Sequence, residues 1–187
     1  MSGTIRIIGG KWRGRKLSVL EKQGLRPTTD RIKETLFNWL MPVLPDSICL
    51  DCFSGSGSLG FEAASRGAKN VTLLEKDKQV TQQLTKNKQL LASEAISIYQ
   101  TDTLVWLNKS VLKQFDIVFI DPPFHQSLVA KTVNQLEDNN WLKPSAYIYI
   151  ESEIEHNVMA YIPTNWHLHR EKTAGQVHSH LFIRENN

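Results

Sequence analysis

Hydrophobic and polar positions alternate in blocks after residue 46, where short apolar runs are separated by segments of helical periodicity. The apolar runs predict strands at residues 47–53, 70–75, 95–100, 115–121, 146–151, 166–172 and 176–184. The segments between them predict helices at residues 59–66, 78–91, 104–109 and 128–139. The run Ile117-Val118-Phe119-Ile120 is apolar at every position, which is typical of a parallel strand covered by helices on both faces. This order predicts an α/β fold built on a mostly parallel sheet.

The two ends of this pattern differ from its middle. The last two predicted strands are joined around Thr173-Ala174-Gly175, a connection too short for a crossover, so we expect a C-terminal antiparallel hairpin. Before the sheet, an apolar stripe at helical spacing predicts a helix over residues 30–40, with Asp30 as its N-cap.

The composition is that of an ordinary globular protein. A length of 187 residues suits one compact domain, and 41% of the residues are hydrophobic and 22% charged. No apolar run approaches the ~20 residues that cross a bilayer, and the N-terminus lacks a secretory signal pattern, so we expect a cytoplasmic protein without a membrane partner. Cys49 and Cys52 lie three residues apart on one predicted strand and therefore point to opposite faces. We interpret them as two buried thiols rather than a disulfide or a metal site.

Charge is distributed unevenly along the chain. Residues 1–33 carry nine Lys/Arg and two acids, a net charge of +7, whereas the rest of the chain has a net charge of −4. Interleaved apolar and glycine positions predict an ordered basic arm or hairpin at residues 1–33, ahead of a main domain at residues 34–187. A basic arm on an acidic body favours a polyanionic partner, RNA or DNA, over a solvated tail. The candidate contacts are Arg6, Lys11, Arg13, Arg15, Lys16 and Arg31.

A glycine-rich turn follows the first predicted strand. In the run Asp51-Cys52-Phe53-Ser54-Gly55-Ser56-Gly57 the glycines let the backbone approach a ligand closely. No Lys-Ser/Thr pair follows this loop, which disfavours a phosphate-binding loop of the P-loop type. The next two predicted strands end near Glu75 and Asp102. Glu75 suits ribose hydroxyls, Asp102 suits an adenine amino group or a helix N-cap, and Asp51 suits a cationic tail. The three acids together predict a site for S-adenosylmethionine.

A second candidate site, Asp121-Pro122-Pro123-Phe124, follows the fourth predicted strand. The exocyclic amine of a nucleic-acid base is a poor nucleophile because its lone pair is delocalised into the ring. The Asp121 carboxylate and the Pro122 carbonyl, held rigidly by consecutive prolines, can accept the amine hydrogens and favour a tetrahedral nitrogen. Phe124 offers a face on which an extruded base stacks, worth ~1–3 kcal/mol. The motif therefore predicts methylation of such an amine, and we interpret His125 as an ordinary turn residue.

Both sites resemble those of class I methyltransferases, whose first motif is similar to the turn that begins at Asp51. Nearly end to end, the chain resembles the bacterial 16S rRNA guanine-N2 methyltransferases of the RsmD type, most specifically at residues 6–17 and 25–38. The resemblance implies a Rossmann-like, seven-stranded, mostly parallel sheet with a small N-terminal extension and a catalytic domain at residues 34–187. It also implies a monomeric enzyme that methylates N2 of one guanine in the 16S rRNA of an assembled or nearly assembled small ribosomal subunit.

The resemblance adds the loop at residues 26–31 as a segment that contributes to closing over the cofactor. The candidate cofactor-binding residues are Asp51, Phe53, Ser54, Gly55, Gly57, Glu75, Lys76, Asp102, Thr103, Arg26 and Thr28. The candidate catalytic residues are Asp121, Pro122, Pro123 and Phe124.

Three other functions stay open at this point. A DNA adenine-N6 methyltransferase can carry the same tetrapeptide but usually needs a larger target-recognition segment. A protein glutamine methyltransferase would more often carry Asn in place of Asp121, and a non-catalytic RNA-binding assembly factor would bind without turnover. We expect no metal: His167, His169, His178 and His180 alternate on the terminal hairpin, where we interpret them as a polar face exposed to solvent.

Overall fold

The computed structural model of the protein describes residues 2–20, 29–123 and 127–185. The strands are β1 Ser2–Arg6, β2 Lys16–Leu20, β3 Ile48–Asp51, β4 Asn70–Glu75, β5 Ile96–Gln100, β6 Phe115–Ile120, β7 Leu142–Glu153, β8 Trp166–Ala174 and β9 Val177–Arg184. The α-helices are α1 Asp30–Leu40, α2 Ser58–Ser65, α3 Lys78–Leu90, α4 Thr103–Leu107 and α5 Leu128–Asp138. Short 3-10 helices lie at Gly10–Trp12 and Val158–Tyr161.

The main sheet has seven strands in the order β5-β4-β3-β6-β7-β9-β8. Strands β3 to β7 are parallel, whereas β9 is antiparallel to both β7 and β8. The α/β fold, the mostly parallel sheet and the C-terminal hairpin predicted from the sequence are confirmed. Chain order reverses between β3 and β6, and in such sheets ligands bind at the carboxyl ends of the strands beside this reversal.

Several predicted boundaries were wrong by a few residues. Strand β7 begins at Leu142 rather than residue 146, because Leu142 pairs with Phe115 before the register with β6 shifts. Helix α1 has Thr29 as its N-cap, whose side chain accepts the amide hydrogen of Ile32, so Asp30 is the first helical residue. Strand β3 ends at Asp51, where the glycine-rich turn begins.

Helices cover the sheet on both faces, as the apolar strands predicted. One core cluster joins the sheet to α1, α2, α3 and the N-terminal hairpin, and this side is called the first face. The other cluster joins it to α4 and α5, on the second face. Cys49 packs in the first cluster and Cys52 in the second, and both are free and buried. The prediction of two thiols on opposite faces is therefore confirmed.

The N-terminal segment forms an antiparallel hairpin of β1 and β2 that packs against the body of the protein. The fully buried carboxylate of Glu62 in α2 accepts the amide hydrogen of Ile8 at 2.9 Å and forms an ion pair with Arg66 at 2.7 Å. The Asn87 side chain of α3 donates to the carbonyl of Ser18. The hairpin is thus held by α2 and α3 and does not extend as a free arm. No helix in the described ranges is long and apolar enough to cross a membrane.

Candidate active site

Four acidic residues follow one another along the carboxyl edge of the sheet. Asp51 is the last residue of β3, Glu75 is the last residue of neighbouring β4, and Asp102 follows β5 by two residues. On the other side of β3, Asp121 directly follows β6. The fold therefore brings the two candidate sites of the sequence to one edge, with the strand-order reversal between them.

Asp51 is almost completely buried, with 2% of its surface exposed. Burial raises the pKa of its carboxyl from 3.8 to about 7, although the backbone amides of Gly60 and Phe53 donate to it and oppose the rise. The charge of Glu75 raises this pKa further. A cation next to Asp51 would favour the ionised form, so this buried carboxyl fits a ligand with a cationic group.

The glycine-rich turn is held between the ends of β3 and β4. The Ser54 amide donates to the carbonyl of Leu74 at 3.0 Å, and the Gly55 amide donates to the Glu75 carboxylate at 3.1 Å. Gly57 has φ +77°, and an added Cβ would lie 2.5 Å from the Phe61 ring, so no other residue fits there without movement. Phe53 packs against the second face of the sheet. The turn is thus fixed as a backbone surface at the carboxyl edge.

Glu75 and Asp102 each hold a chain segment as well as facing the edge. The second oxygen of Glu75 accepts the amide hydrogen of Asp77 at 2.7 Å. Asp102 is the N-cap of α4 and accepts two amide hydrogens through one oxygen, which leaves its other oxygen with acceptor capacity. Thr103 is buried, and its hydroxyl donates to the backbone carbonyl of Cys52, so it connects α4 to the turn. Lys76 is exposed beside Glu75.

The second candidate site begins at the half-buried Asp121, followed by the buried Pro122 and the half-buried Pro123. Phe124, together with the turn residue His125, lies outside the described residues, as do the candidate cofactor residues Arg26 and Thr28. Asp121 therefore presents a carboxylate next to the strand-order reversal on a backbone that two prolines restrain.

Strand β7 contributes a buried polar group next to Asp121 that the sequence analysis did not single out. The Tyr149 hydroxyl lies 2.7 Å from the Glu151 carboxylate and 3.1 Å from the Ser179 hydroxyl. Burial, with the nearby charges of Glu151 and Asp121, raises the pKa of Tyr149 well above its ordinary value of 10. The sequence of β7 carries no signal for this group, because Glu151 marks only the end of the predicted strand.

Comparison with known proteins agrees with this geometry. The family model described as "Conserved hypothetical protein 95" matches residues 5–183. Ribosomal RNA small subunit methyltransferase D of Escherichia coli K12 is 54% identical over 184 residues, which cover 98% of this chain and 92% of the relative. Its namesake in Haemophilus influenzae is 53% identical over 96% of this chain and 94% of its own length. The chain belongs to this methyltransferase family.

Solved structures support the same assignment. The putative methyltransferase yhhF of E. coli has 52% sequence identity and a TM-score of 0.90, covering 99% of this chain and 100% of its own. The fold is also that of the 16S rRNA N2 G1207 methyltransferase RsmC of Thermus thermophilus, with a TM-score of 0.75 at 19% identity over 100% of this chain and 50% of that one. The class I methyltransferase fold and the RsmD-type resemblance stated from the sequence are confirmed.

The six basic residues singled out in the sequence are exposed in this family member. Arg6 forms an ion pair with Asp30 at 2.9 Å, so part of its charge is neutralised. Lys33, counted in the basic arm, is buried and donates to the carbonyl of Arg6 at 2.6 Å. Together with Lys16 these residues line a cleft of about 270 Å³ between the hairpin and α1. Arg13 and Arg15 remain as exposed cations near the hairpin turn.

The interpretation of the C-terminal histidines as one solvent-exposed face was wrong. His169 contacts the ring of Tyr147, which packs against the first face. His178 and His180 lie on the second face, where the His180 ring stacks on Phe182. His180 has 3% of its surface exposed. The two pairs are separated because His167 lies opposite Ile183, whose side chain points to the face opposite to that of His178 and His180.

Proposed function

We propose that the protein transfers a methyl group from S-adenosylmethionine to N2 of one guanine in 16S rRNA. The observation that carries the proposal is the position of Asp121-Pro122-Pro123 beside the buried Asp51, on either side of the strand-order reversal. Relatives more than 50% identical over nearly the whole chain are named as small-subunit rRNA methyltransferases, which supports the rRNA substrate. We infer a cytoplasmic monomer that acts on the small subunit.

The acids of β3, β4 and β5 fit the groups of this cofactor. Asp51 would hold the ammonium of the amino-acid tail, because a cation relieves the cost of burying its carboxylate. Glu75 would accept from the two ribose hydroxyls, and Asp102 would accept from the adenine amino group through the oxygen that does not cap α4. When bound, S-adenosylmethionine supplies an electrophilic methyl group on a cationic sulfur.

Asp121 and Pro122 prepare the amine for attack. Their carboxylate and carbonyl oxygens would accept the two hydrogens of guanine N2, which localises the nitrogen lone pair towards the methyl carbon. As the new N–C bond forms, the C–S bond breaks and its electron pair stays on sulfur, and the amine proton leaves to water. Because the methyl group is already activated, positioning supplies much of the rate.

The basic surface supports a polyanionic substrate rather than a protein. Arg13, Arg15 and Lys11 are exposed on the hairpin that packs on α2 and α3. The T. thermophilus enzyme with the same fold was solved with AdoMet and guanosine, which supports a guanine nucleoside as the acceptor. The rivals are a DNA adenine-N6 methyltransferase and an assembly factor that binds RNA without turnover.

A variant of Asp121 tests the assignment of the amine site. Asp121→Asn removes the negative acceptor, so we expect methyl transfer to fall by about a hundred-fold or more, with cofactor affinity unchanged. Asp116→Asn is the matched control, since Asp116 lies at the other end of β6 and pairs with Lys143 at 2.8 Å. Loss of cofactor binding in Asp121→Asn would place Asp121 in the cofactor pocket, and an unchanged rate would remove it from the amine site.

A further inference from the structure

We propose that Glu171, His178 and His180 form a Zn²⁺ site that connects strands β8 and β9. Their ligand atoms all lie within 4.8 Å of one another. The Nε2 atoms of His178 and His180 lie 3.1 and 4.0 Å from one Glu171 carboxylate oxygen. Ligands about 2.0–2.1 Å from a tetrahedral Zn²⁺ are roughly 3.3 Å apart, so the three side chains are already near the required separation.

A bulge in β8 creates this arrangement. Up to Leu168, which lies opposite Phe182, the register would bring Arg170 opposite His180. The shift between Leu168 and Arg170 instead places Glu171 opposite His180. Because opposite residues of antiparallel strands point to the same face, the bulge aims the Glu171 carboxylate at the two histidines. Without it, the cationic Arg170 would occupy that position.

Both histidines present their rings on the same face of the sheet. His178 and His180 lie two residues apart on β9, so their side chains share the second face, with ring centroids 3.9 Å apart. Both imidazole rings therefore turn an Nε2 atom towards the same Glu171 carboxylate oxygen.

Two buried polar atoms at this position lack hydrogen-bond partners in the part of the chain that the structure describes. They are Nδ1 of His180 and the hydroxyl oxygen of Ser152. Ser152 of β7 lies opposite His178, so its side chain points to the same face. A metal on Nε2 fixes the His180 proton on Nδ1, which has no acceptor among the described residues. Buried polar atoms without partners are rare in folded proteins, and a bound ion nearby is one feature that accounts for them.

The ligand set suits zinc and a structural role. Two imidazole nitrogens and one carboxylate oxygen are ligands that Zn²⁺ accepts, and they leave a fourth position for water. Ile150 of β7 lies opposite Ile120 of β6 on one side and opposite His180 of β9 on the other. The zinc site is therefore two strands, roughly 10 Å, from Ile120, the residue before Asp121. The ion would therefore join β8 to β9 without occupying the proposed methyl-transfer site. The zinc proposal does not depend on the proposed methyl-transfer function.

Zinc titration of the full-length protein tests the proposal. Protein without a polyhistidine tag is stripped with a chelator and titrated with ZnCl₂ by calorimetry near neutral pH. We expect one Zn²⁺ per chain, and we expect His178→Gln and Glu171→Gln each to weaken binding by about a hundred-fold, since even outer partners of ligands contribute ten- to a hundred-fold. These partly exposed positions are chosen because replacing the buried His180 would disturb packing.

His167→Gln is the matched control. His167 lies on the same hairpin and is also paired with a carboxylate, Glu185 at 3.1 Å, but it is outside the cluster. His167→Gln should leave the zinc affinity unchanged. Zinc should raise the melting temperature of the wild type and of His167→Gln, but not that of His178→Gln. The proposal is overturned if no stoichiometric binding occurs, if His178→Gln or Glu171→Gln binds as tightly as the wild type, or if His167→Gln loses affinity to the same extent.

Discussion

Replacing Asp51 by Asn should change how the stability of the cofactor-free protein depends on pH. The carboxyl has a pKa of about 7 in the folded protein against 3.8 ordinarily, chiefly because it is buried. The folded state thus binds a proton more tightly than the unfolded state. The stability that protonation contributes is fully present below pH 3.8 and is lost as pH rises through about 7.

The size of this effect follows from the shift. At about 1.4 kcal/mol per pKa unit, stability attributable to Asp51 falls by about 2.5 kcal/mol between roughly pH 5 and pH 8. Asn has no such titration, although it loses part of the hydrogen bonding to the Gly60 and Phe53 amides at every pH. Between roughly pH 5 and pH 8 the free energy of unfolding of the wild type should therefore fall by about 2.5 kcal/mol relative to that of Asp51→Asn.

Urea unfolding of both proteins at about pH 5 and pH 8 measures this shift, since all other titrating groups are common to the pair. The same variant should bind S-adenosylmethionine more weakly, as measured by calorimetry at about pH 8, because the carboxylate that faces the cationic tail is gone. If the free energy of unfolding depended on pH in the same way in both proteins, the argument that burial raises the pKa of Asp51 would be refuted. Unchanged cofactor affinity would refute its proposed role.

Three other variants test separate parts of the site. Glu75→Ala should weaken cofactor binding by about a hundred-fold, because two charge-assisted hydrogen bonds to the ribose are lost. An unchanged dissociation constant would refute the proposed contact of Glu75 with the ribose. Reversing the charges of Arg13 and Arg15 should weaken RNA binding and reduce the salt slope of log K by about two units; an unaltered slope would leave the hairpin cations without a role. Tyr149→Phe should lower the rate of methyl transfer without changing cofactor affinity, because it removes a hydroxyl beside Asp121, whereas an unchanged rate would make that hydroxyl purely structural.

The order of strands and the position of the strand-end acids could be predicted from the sequence for a simple reason. Strands such as β6 are apolar at nearly every position because both faces are covered, so the residue that interrupts the run marks the edge. Asp51 and Asp121 interrupt two neighbouring strands, which is why both candidate sites were found.

Features that depend on register or on long-range contacts could not be predicted in this way. The approach of Glu171 to His180 follows from a one-residue bulge in β8, which no local residue pattern marks. The docking of the N-terminal hairpin depends on Glu62, a buried acid that accepts the amide hydrogen of Ile8, 54 residues away in sequence. The Tyr149 hydroxyl came next to Asp121 only through the pairing of β6 with β7.

The central claim is most directly tested by identifying the methylated nucleoside. The purified protein and S-adenosylmethionine with a labelled methyl group are incubated with free 16S rRNA, assembled small subunits and duplex DNA, and the products are digested to nucleosides. We predict label in N2-methylguanosine from the ribosomal substrates and none in DNA. Label in N6-methyladenine from DNA would establish the rival enzyme, and RNA binding without any transfer would show that the protein is not a guanine methyltransferase.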